Sequence, residues 1–403
     1  MKGERLKKLK VRISSFSLKD MLNFKNLPLR RDKAIEQAED SEIVADFPIN
    51  NNARALHPDY QQMTVHKIIT REDGVTKTLV LKKTDGTPAA FFRPGQYVSL
   101  KIRIGNSYVT RPYSISSSPR LTKDGKVHIT VKPKEGGFVS DHLLNSVNVG
   151  SPILISGPDG QFFHDDIRDS LNVVAVAGGS GITPFISMAF AIRDGIEDFN
   201  LTVIFGSRTE DSILFRKELD VIQEETDRVK VVHVLSDEEK PGFEHGFITA
   251  DLIRRYAPED YSLFVCGPEG LYRHMEGEVE KLGLPARRVR REILGVTLRS
   301  EGTEVKTYSL KVIQGPQEYT VPARSDESLL VAIERAGIMA PSRCRSGECG
   351  WCRSKLLSGS VFIPPQNDRR RRMDRTSDHI HPCVTFPQSD IVLEIPRGDY
   401  PAD

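Results

Sequence analysis

Val173-Val174-Ala175-Val176-Ala177-Gly178-Gly179-Ser180-Gly181-Ile182-Thr183-Pro184 reads as a buried strand that runs into a glycine-rich turn and then a helix. Its apolar run is too short for a helix and fits a strand covered on both faces. Pro184 suits the first helical turn, where its missing N–H has no partner to lose. Further on, apolar runs at 201–206, 230–235 and 262–266 alternate with amphipathic stretches at 215–224 and 271–282. That alternation predicts a doubly wound parallel α/β unit over residues 166–299.

The turn itself suggests a ligand. Backbone without side chains at Gly179 and Gly181 admits a pyrophosphate, and the positive end of a helix beginning at Thr183 and Pro184 points at it. The spacing is not G-x-G-x-x-G, so the turn alone also fits a plain left-handed connection. Cys266-Gly267-Pro268 ends another strand on the same carboxyl edge, and two turns on one edge make a crevice.

Working outward toward the amino end, residues 61–165 change to short alternating segments such as 65–69, 78–81, 97–102 and 127–131, punctuated by Gly and Pro. They predict an antiparallel β-barrel or sandwich. In one strand lie Arg111-Pro112-Tyr113-Ser114: the guanidinium suits a phosphate, the phenol ring a flat heterocycle, and the hydroxyl a ring nitrogen. Gly136-Gly137-Phe138-Val139-Ser140 opens an amphipathic helix with Phe138, Leu143, Leu144 and Val147 on its apolar side, a second phosphate site at a helix start. Ser140 as a mere cap is the plainer reading of the same residues.

Toward the carboxyl end, residues 300–403 predict a small mixed α/β unit with strands near 308–313, 317–322 and 391–395 and a helix at 327–336. Inside it Cys344, Cys349 and Cys352 follow C-x4-C-x2-C, with Cys383 far beyond, which is the plant-type spacing for a [2Fe–2S] cluster. Ser346, Gly347 and Gly350 are small enough to let backbone N–H groups face the sulfurs. Zinc would favour paired C-x2-C knuckles, and these are absent. His379 and His381 precede the last cysteine, but four thiolates leave them no ligand role, so they read as neighbours of the cluster or surface groups. The run Arg369-Arg370-Arg371-Arg372 with Arg375 is either a solvated face or a docking patch for an acidic redox partner.

Composition narrows the classes. Charged residues at 28% and apolar ones at 38% describe an ordinary folded protein, and a net charge of +2 gives no argument for nucleic acid. No apolar run approaches the ~20 residues of a membrane-spanning helix, and the basic start lacks a signal-peptide core, so a cytoplasmic location is expected. Residues 1–60 read as a polar extension, either a surface leader or a basic arm for peripheral membrane or partner contact.

In this order, Arg111-x-Tyr113-Ser114, Gly137-x-x-Ser140, Gly157-Pro158-Asp159-Gly160, the turn at 178–184, Cys266-Gly267-Pro268 and the trailing cysteine loop resemble the ferredoxin–NADP reductase superfamily. The domain order is similar to the reductase components of multicomponent oxygenases of the phthalate dioxygenase reductase type. The resemblance implies a flavin barrel, a nicotinamide-binding sheet and a C-terminal α+β (β-grasp) ferredoxin domain. It implies that Arg111, Pro112, Tyr113 and Ser114 hold the flavin, with Gly136, Gly137 and Ser140 on its phosphates, and that Gly179, Gly181, Thr183 and Pro184 meet the nucleotide. Cys266, Gly267 and Pro268 then lie by the nicotinamide ring, and Glu292 matches the family's acidic position, although Leu294 replaces the usual aromatic residue two places on.

FAD is expected, with FMN the alternative. Arg208 suits the 2′-phosphate of NADPH, while Glu210 or Asp211 suits the 2′-hydroxyl of NADH. The expected activity is NAD(P)H-dependent reduction, through flavin and a [2Fe–2S] cluster, of a separate protein acceptor. That acceptor is read as an oxygenase, desaturase or demethylase component. The alternatives are an anaerobic acceptor, corrinoid or flavoprotein, and a redox subunit of a larger complex.

Overall fold

A computed structural model describes residues 17–36, 47–292 and 304–397. The chain divides into a leader unit ending at residue 52 and a main unit from residue 53 onward. In the leader the described residues are helical: α1 spans Leu18–Glu36, and α2 (Pro48–Leu56) runs across the division. α1 exposes Leu18, Met21, Leu22, Phe24, Leu27 and Leu29. Residues 293–303, including Leu294, lie outside the described residues, as do 1–16, 37–46 and 398–403.

The main unit begins with six antiparallel strands: β1 (Tyr60–Thr70), β2 (Lys77–Lys83), β3 (Tyr97–Ile104), β4 (Ser107–Ser114), β5 (Lys126–Val131) and β6 (Pro152–Ser156). They are ordered β4-β3-β6-β1-β2-β5, and a bridge between Ile115 and Ile129 joins the two end strands, closing the sheet into a barrel. Alternate residues point inward, so Met63, Val65, Leu79, Leu81, Val98, Leu100 and Ile129 fill the interior. Helix α3 (Phe138–Asn145) covers one end by burying Val139, Leu143 and Leu144. Burial of a leucine such as Leu143 is worth about 2 kcal/mol. Phe138, expected on that apolar side, is exposed: the helix starts there, and the buried face begins one residue later.

Six parallel strands follow: β7 (Asn172–Gly178), β8 (Asn200–Ser207), β9 (Val229–Leu235), β10 (Glu244–His245), β11 (Ser262–Cys266) and β12 (Val289–Glu292). Helices α4 (Thr183–Arg193), α5 (Arg216–Glu225), α6 (Ala250–Tyr256) and α7 (Glu269–Leu282) connect them. One apolar cluster joins α4 and α5 to the sheet, and a second joins α6 and α7 to it, so both faces are covered. The order β10-β9-β8-β7-β11-β12 reverses between β7 and β11. At such a reversal the connections leave to opposite faces and a crevice opens beyond the carboxyl ends. A buried ion pair, Arg290 to Asp169 at 2.5 Å, ties β12 to the segment arriving from the barrel, and Arg290 also donates to the carbonyls of Gln161 and Phe163.

The third lobe contains β13 (Thr307–Gln314), β14 (Gln317–Arg324), α8 (Leu329–Arg335), β15 (Ser354–Ser358), β16 (Val361–Phe362), α9 (Arg372–Thr376), β17 (His379–Ile380), β18 (Phe386–Pro387) and β19 (Ile391–Glu394). Its main sheet is ordered β14-β13-β19-β15-β17, with β19 parallel to β13 in a mixed sheet. Helix α8 is capped by Ser328, whose hydroxyl accepts from the Val331 N–H, and packs Leu329, Leu330 and Ile333 on the sheet.

Candidate functional site

The crevice at the strand reversal is built from backbone. A Cβ on Gly181 would lie 2.1 Å from the carbonyl oxygen of Cys266 and 2.6 Å from the Cα of Gly267, so the two turns touch and only glycine fits. Gly179 has φ +52, and its Cβ position lies 3.5 Å from the Lys132 ammonium of the barrel lobe, which brings a cation to the glycine turn. Thr183 donates its hydroxyl to the Ser180 carbonyl at 2.9 Å, and Pro184 occupies the first turn of α4. Pro268 stands just before α7.

At the mouth of this crevice three side chains converge from two lobes. Cys266 and Glu292 are register partners at the ends of β11 and β12, and Ser114 ends β4 of the barrel. The Ser114 hydroxyl donates to Glu292 Oε2 at 2.9 Å, and the Cys266 thiol faces the same oxygen at 3.7 Å. All three are buried. Burial pushes the Glu292 carboxyl up to about 8, against the opposing pull of the Ser114 and Cys266 hydrogen bonds. Burial and then the Glu292 carboxyl push the Cys266 thiol up as well. The Tyr272 hydroxyl braces the cluster between the Gly267 N–H and the Glu292 carbonyl. At pH 7 the Glu292 carboxyl is therefore held in its protonated form.

The residues expected on the flavin belong to the barrel lobe. Tyr113 is half-buried against the barrel core, and burial pushes its phenol up to about 12. Pro112 lies opposite Ser99 in β3. Gly137 precedes α3, and Ser140 donates its hydroxyl back to the Gly137 carbonyl at 3.1 Å rather than capping the helix. Gly136 has φ +65 and stands open. Arg111 turns elsewhere: its Nη1 lies 3.2 Å from Glu334 Oε2 of the third lobe. Arg208, after β8, has its side chain 84% exposed and 3.4 Å from Asp237. Glu210 pairs with Lys240, while Asp211 has its side chain at the surface.

The four cysteines meet in one loop region. Cys352 and Cys383 sulfurs are 3.4 Å apart, and the Cys344 sulfur accepts from the Ser346 and Cys349 N–H groups, each at 3.4 Å. The Trp351 N–H points at Cys349 Sγ from 3.5 Å. Hydrogen bonds from Cys349 and Cys383 hold the Cys344 thiol well below its ordinary range. Sulfur ligands with backbone donors aimed at them are the donor set an iron–sulfur cluster requires. Gly347 (φ +79) sits against Asn367 and Val384, where a Cβ would come within 2.7 Å of the Asn367 carbonyl oxygen. His381 is buried and bonded through Nδ1 to the Gly347 carbonyl at 2.8 Å, while His379 meets Ser377. Cys349 is exposed, unlike Cys344, Cys352 and Cys383.

Several residues here were not singled out by sequence: Tyr97, Tyr272, Arg343, Arg345 and Glu334. Tyr97 is buried and lines, with Glu292, Ser346 and Glu348, a cavity of about 750 Å³ shared by the three lobes. Glu334 carried a signal, since it follows Leu330 by one helical turn and thus faces the core.

The profile for the oxidoreductase FAD-binding domain matches residues 67–164, that for the oxidoreductase NAD-binding domain 175–277, and that for the 2Fe-2S iron-sulfur cluster binding domain 312–388. The glycine betaine monooxygenase reductase subunit of Pseudomonas aeruginosa is 26% identical over 75% of this chain and 87% of its own length. The ferredoxin reductase component of 3-ketosteroid-9-alpha-monooxygenase from Mycobacterium tuberculosis is 29% identical over 87% and 98%. Phthalate dioxygenase reductase, a modular structure for electron transfer from pyridine nucleotides to [2Fe–2S], superposes with a TM-score of 0.61 at 23% identity over 83% of this chain and 98% of that one. With FAD-binding, NAD-binding and 2Fe-2S cluster binding domains in this order, the chain is an NAD(P)H oxidoreductase similar to oxygenase reductase components.

Proposed function

We propose that the chain is the reductase component of an oxygenase, desaturase or demethylase system, taking electron pairs from NADH and delivering them singly to a separate protein. The observation that carries this reading is the meeting of two seams on one barrel: the nicotinamide crevice closes on Ser114, and the cysteine loop closes on β4. A bound flavin converts between a two-electron donor and a one-electron acceptor. Around it Gly181 and Gly267 bring the nucleotide's backbone cradle close. Ser114, Cys266 and neutral Glu292 present an uncharged, water-poor wall to the reacting ring, and Tyr113, Gly137 and Ser140 hold the flavin.

Cys349 marks the exit. Close to it in the chain and packed together, Arg353 pairs with Asp374 of α9 at 2.5 Å, and α9 lies against β17. Arg371, Arg372, Arg375 and Met373 are exposed on this face, Met373 by 77%. Positive charge around an apolar tip suits an acidic protein partner. NADH is the favoured donor because Asp237 occupies Arg208, the cation suited to a 2′-phosphate. We read the site of action as the cytoplasm. Among the described residues no helix is long and apolar enough to cross a membrane. Lys19, Lys25, Arg30, Arg31 and Lys33 of α1, beside its exposed apolar residues, support peripheral contact with an anionic surface.

Anaerobic mixing of the holoprotein with NADH, followed by a purified oxygenase component, tests the reading. Cluster reoxidation by that component, weakened by added salt, supports it; reduction of the cluster with no protein able to reoxidise it sinks it.

A further inference from the structure

Two arginines flank the ligand Cys344, and both reach out of the third lobe. Arg343 extends to Asp159 of the barrel lobe at 3.3 Å and to the Asp59 carbonyl at 3.3 Å, with its guanidinium 3.7 Å over the Trp351 ring. Arg345 donates to Glu334 Oε1 at 2.6 Å and to the Thr110 carbonyl of β4 at 3.4 Å. Glu334, buried on α8, offers its other oxygen to Arg111 of β4. Nearby, the Cβ position of Gly337 lies 3.0 Å from the carbonyl oxygen of Asn106, in the turn between β3 and β4. Arg345 holds φ +57, a conformation disfavoured for a residue with a Cβ, so the loop's shape depends on contacts from outside it.

We propose that Arg343, Arg345 and Glu334 are positioning residues that clamp the cysteine loop onto the barrel and so fix the gap that single electrons cross from flavin to cluster. With both groups bound, the flavin would lose one electron at each crossing and the cluster would gain it. Among the described residues Arg343, Arg345 and Glu334 bond to none of Gly181, Cys266, Gly267 and Glu292, so hydride delivery is independent of the clamp. Nor does it depend on which protein takes the electrons. The Arg345 arm and the Arg343 arm grip opposite sides of Cys344, which prevents the loop from pivoting about either one.

The test uses the full-length holoprotein with Arg343→Gln, Arg343→Lys, Glu334→Gln and the Arg343→Gln/Glu334→Gln pair. Stopped-flow spectroscopy separates flavin reduction by NADH from bleaching of the cluster, and ferricyanide drains the flavin directly. Flavin reduction and ferricyanide turnover are expected to stay at the parent rate, while cluster bleaching slows about tenfold in either Gln variant and about a hundredfold in the pair. Arg343→Lys, which keeps the ion pair to Asp159, recovers most of the rate. Backbone hydrogen exchange in residues 342–352 and 106–111 is expected to rise together in the Gln variants, with the cluster's electron paramagnetic resonance unchanged. Parent-like bleaching and exchange in the pair overturn the clamp. Equal loss of flavin and cluster reduction, or an altered cluster spectrum, also overturns it by showing a general structural role.

Discussion

Two buried glutamates stand at the two seams of the barrel, and the protein treats them in opposite ways. Glu292, at the seam proposed for nicotinamide, has a hydroxyl and a thiol for company and, among the described residues, no cation bonded to it, so its proton stays on. Glu334, at the cluster seam, lies between two guanidinium groups. Isolated buried charge is costly, and a carboxyl escapes that cost by staying neutral or by pairing. On the proposed function the choice matches the traffic: a seam for hydride benefits from uncharged groups that do not perturb the donor ring, and a seam for bare electrons benefits from rigid geometry.

The sharpest way to break this division is to remove the exit alone. Cys349→Ser is expected to cut electron delivery to cytochrome c by about a hundredfold through loss of the cluster, with NADH reduction of the flavin preserved; unchanged cytochrome c reduction contradicts the assigned route. Next in size, Gly181→Ala forces apart two turns in backbone contact and is expected to slow flavin reduction by NADH about tenfold or more, leaving the iron content intact.

Glu292→Gln sharpens the comparison through pH. The unfolded carboxyl ionises near 4.5 and the folded one near 8, so between those values the unfolded chain binds fewer protons and the parent loses stability as pH rises. Relative to the parent, the amide variant should gain ~1.4 kcal/mol per pH unit over that window and level off above it, measured by denaturant melts. The same variant should remove any fall in hydride-transfer rate above about pH 8. A flat stability difference denies the neutral acid. Smallest, Asp237→Ala frees Arg208 and should raise the kcat/KM ratio of NADPH to NADH about fivefold, through one exposed charge-assisted contact.

Features that one short stretch determines were visible in the sequence. The glycine turn after β7 and the three-cysteine loop each carry their geometry within a few residues, and strand and helix periodicity separated barrel from parallel sheet. Glu292 was only loosely marked, because its partners Ser114 and Cys266 arrive from other strands and the flanking residue departs from the family pattern. Glu334, Arg343 and Arg345 were invisible as a group: Arg111 and Glu334 are 223 positions apart, and no local rule pairs them. Arg111 shows the same limit, since its motif suggests a phosphate while its tertiary neighbour is a carboxylate. Phe138 was placed on the apolar face of α3, yet it stands five and six residues from Leu143 and Leu144, off the stripe that Val139 shares with Leu143.

The parallel sheet has a second rim that the chemistry leaves alone. There Asn200 donates to Asn172, and Ser170 and Asn172 fasten to Asp260, so the amino ends of the strands are laced by side chains. A molecule with its cofactor turns on one rim and its lacing on the other can be handled by that far side. The exposed turn at 226–228, leading into β9 on the laced rim, is where a dye, a surface tether or a fused acceptor domain can be attached without entering the path of the electrons.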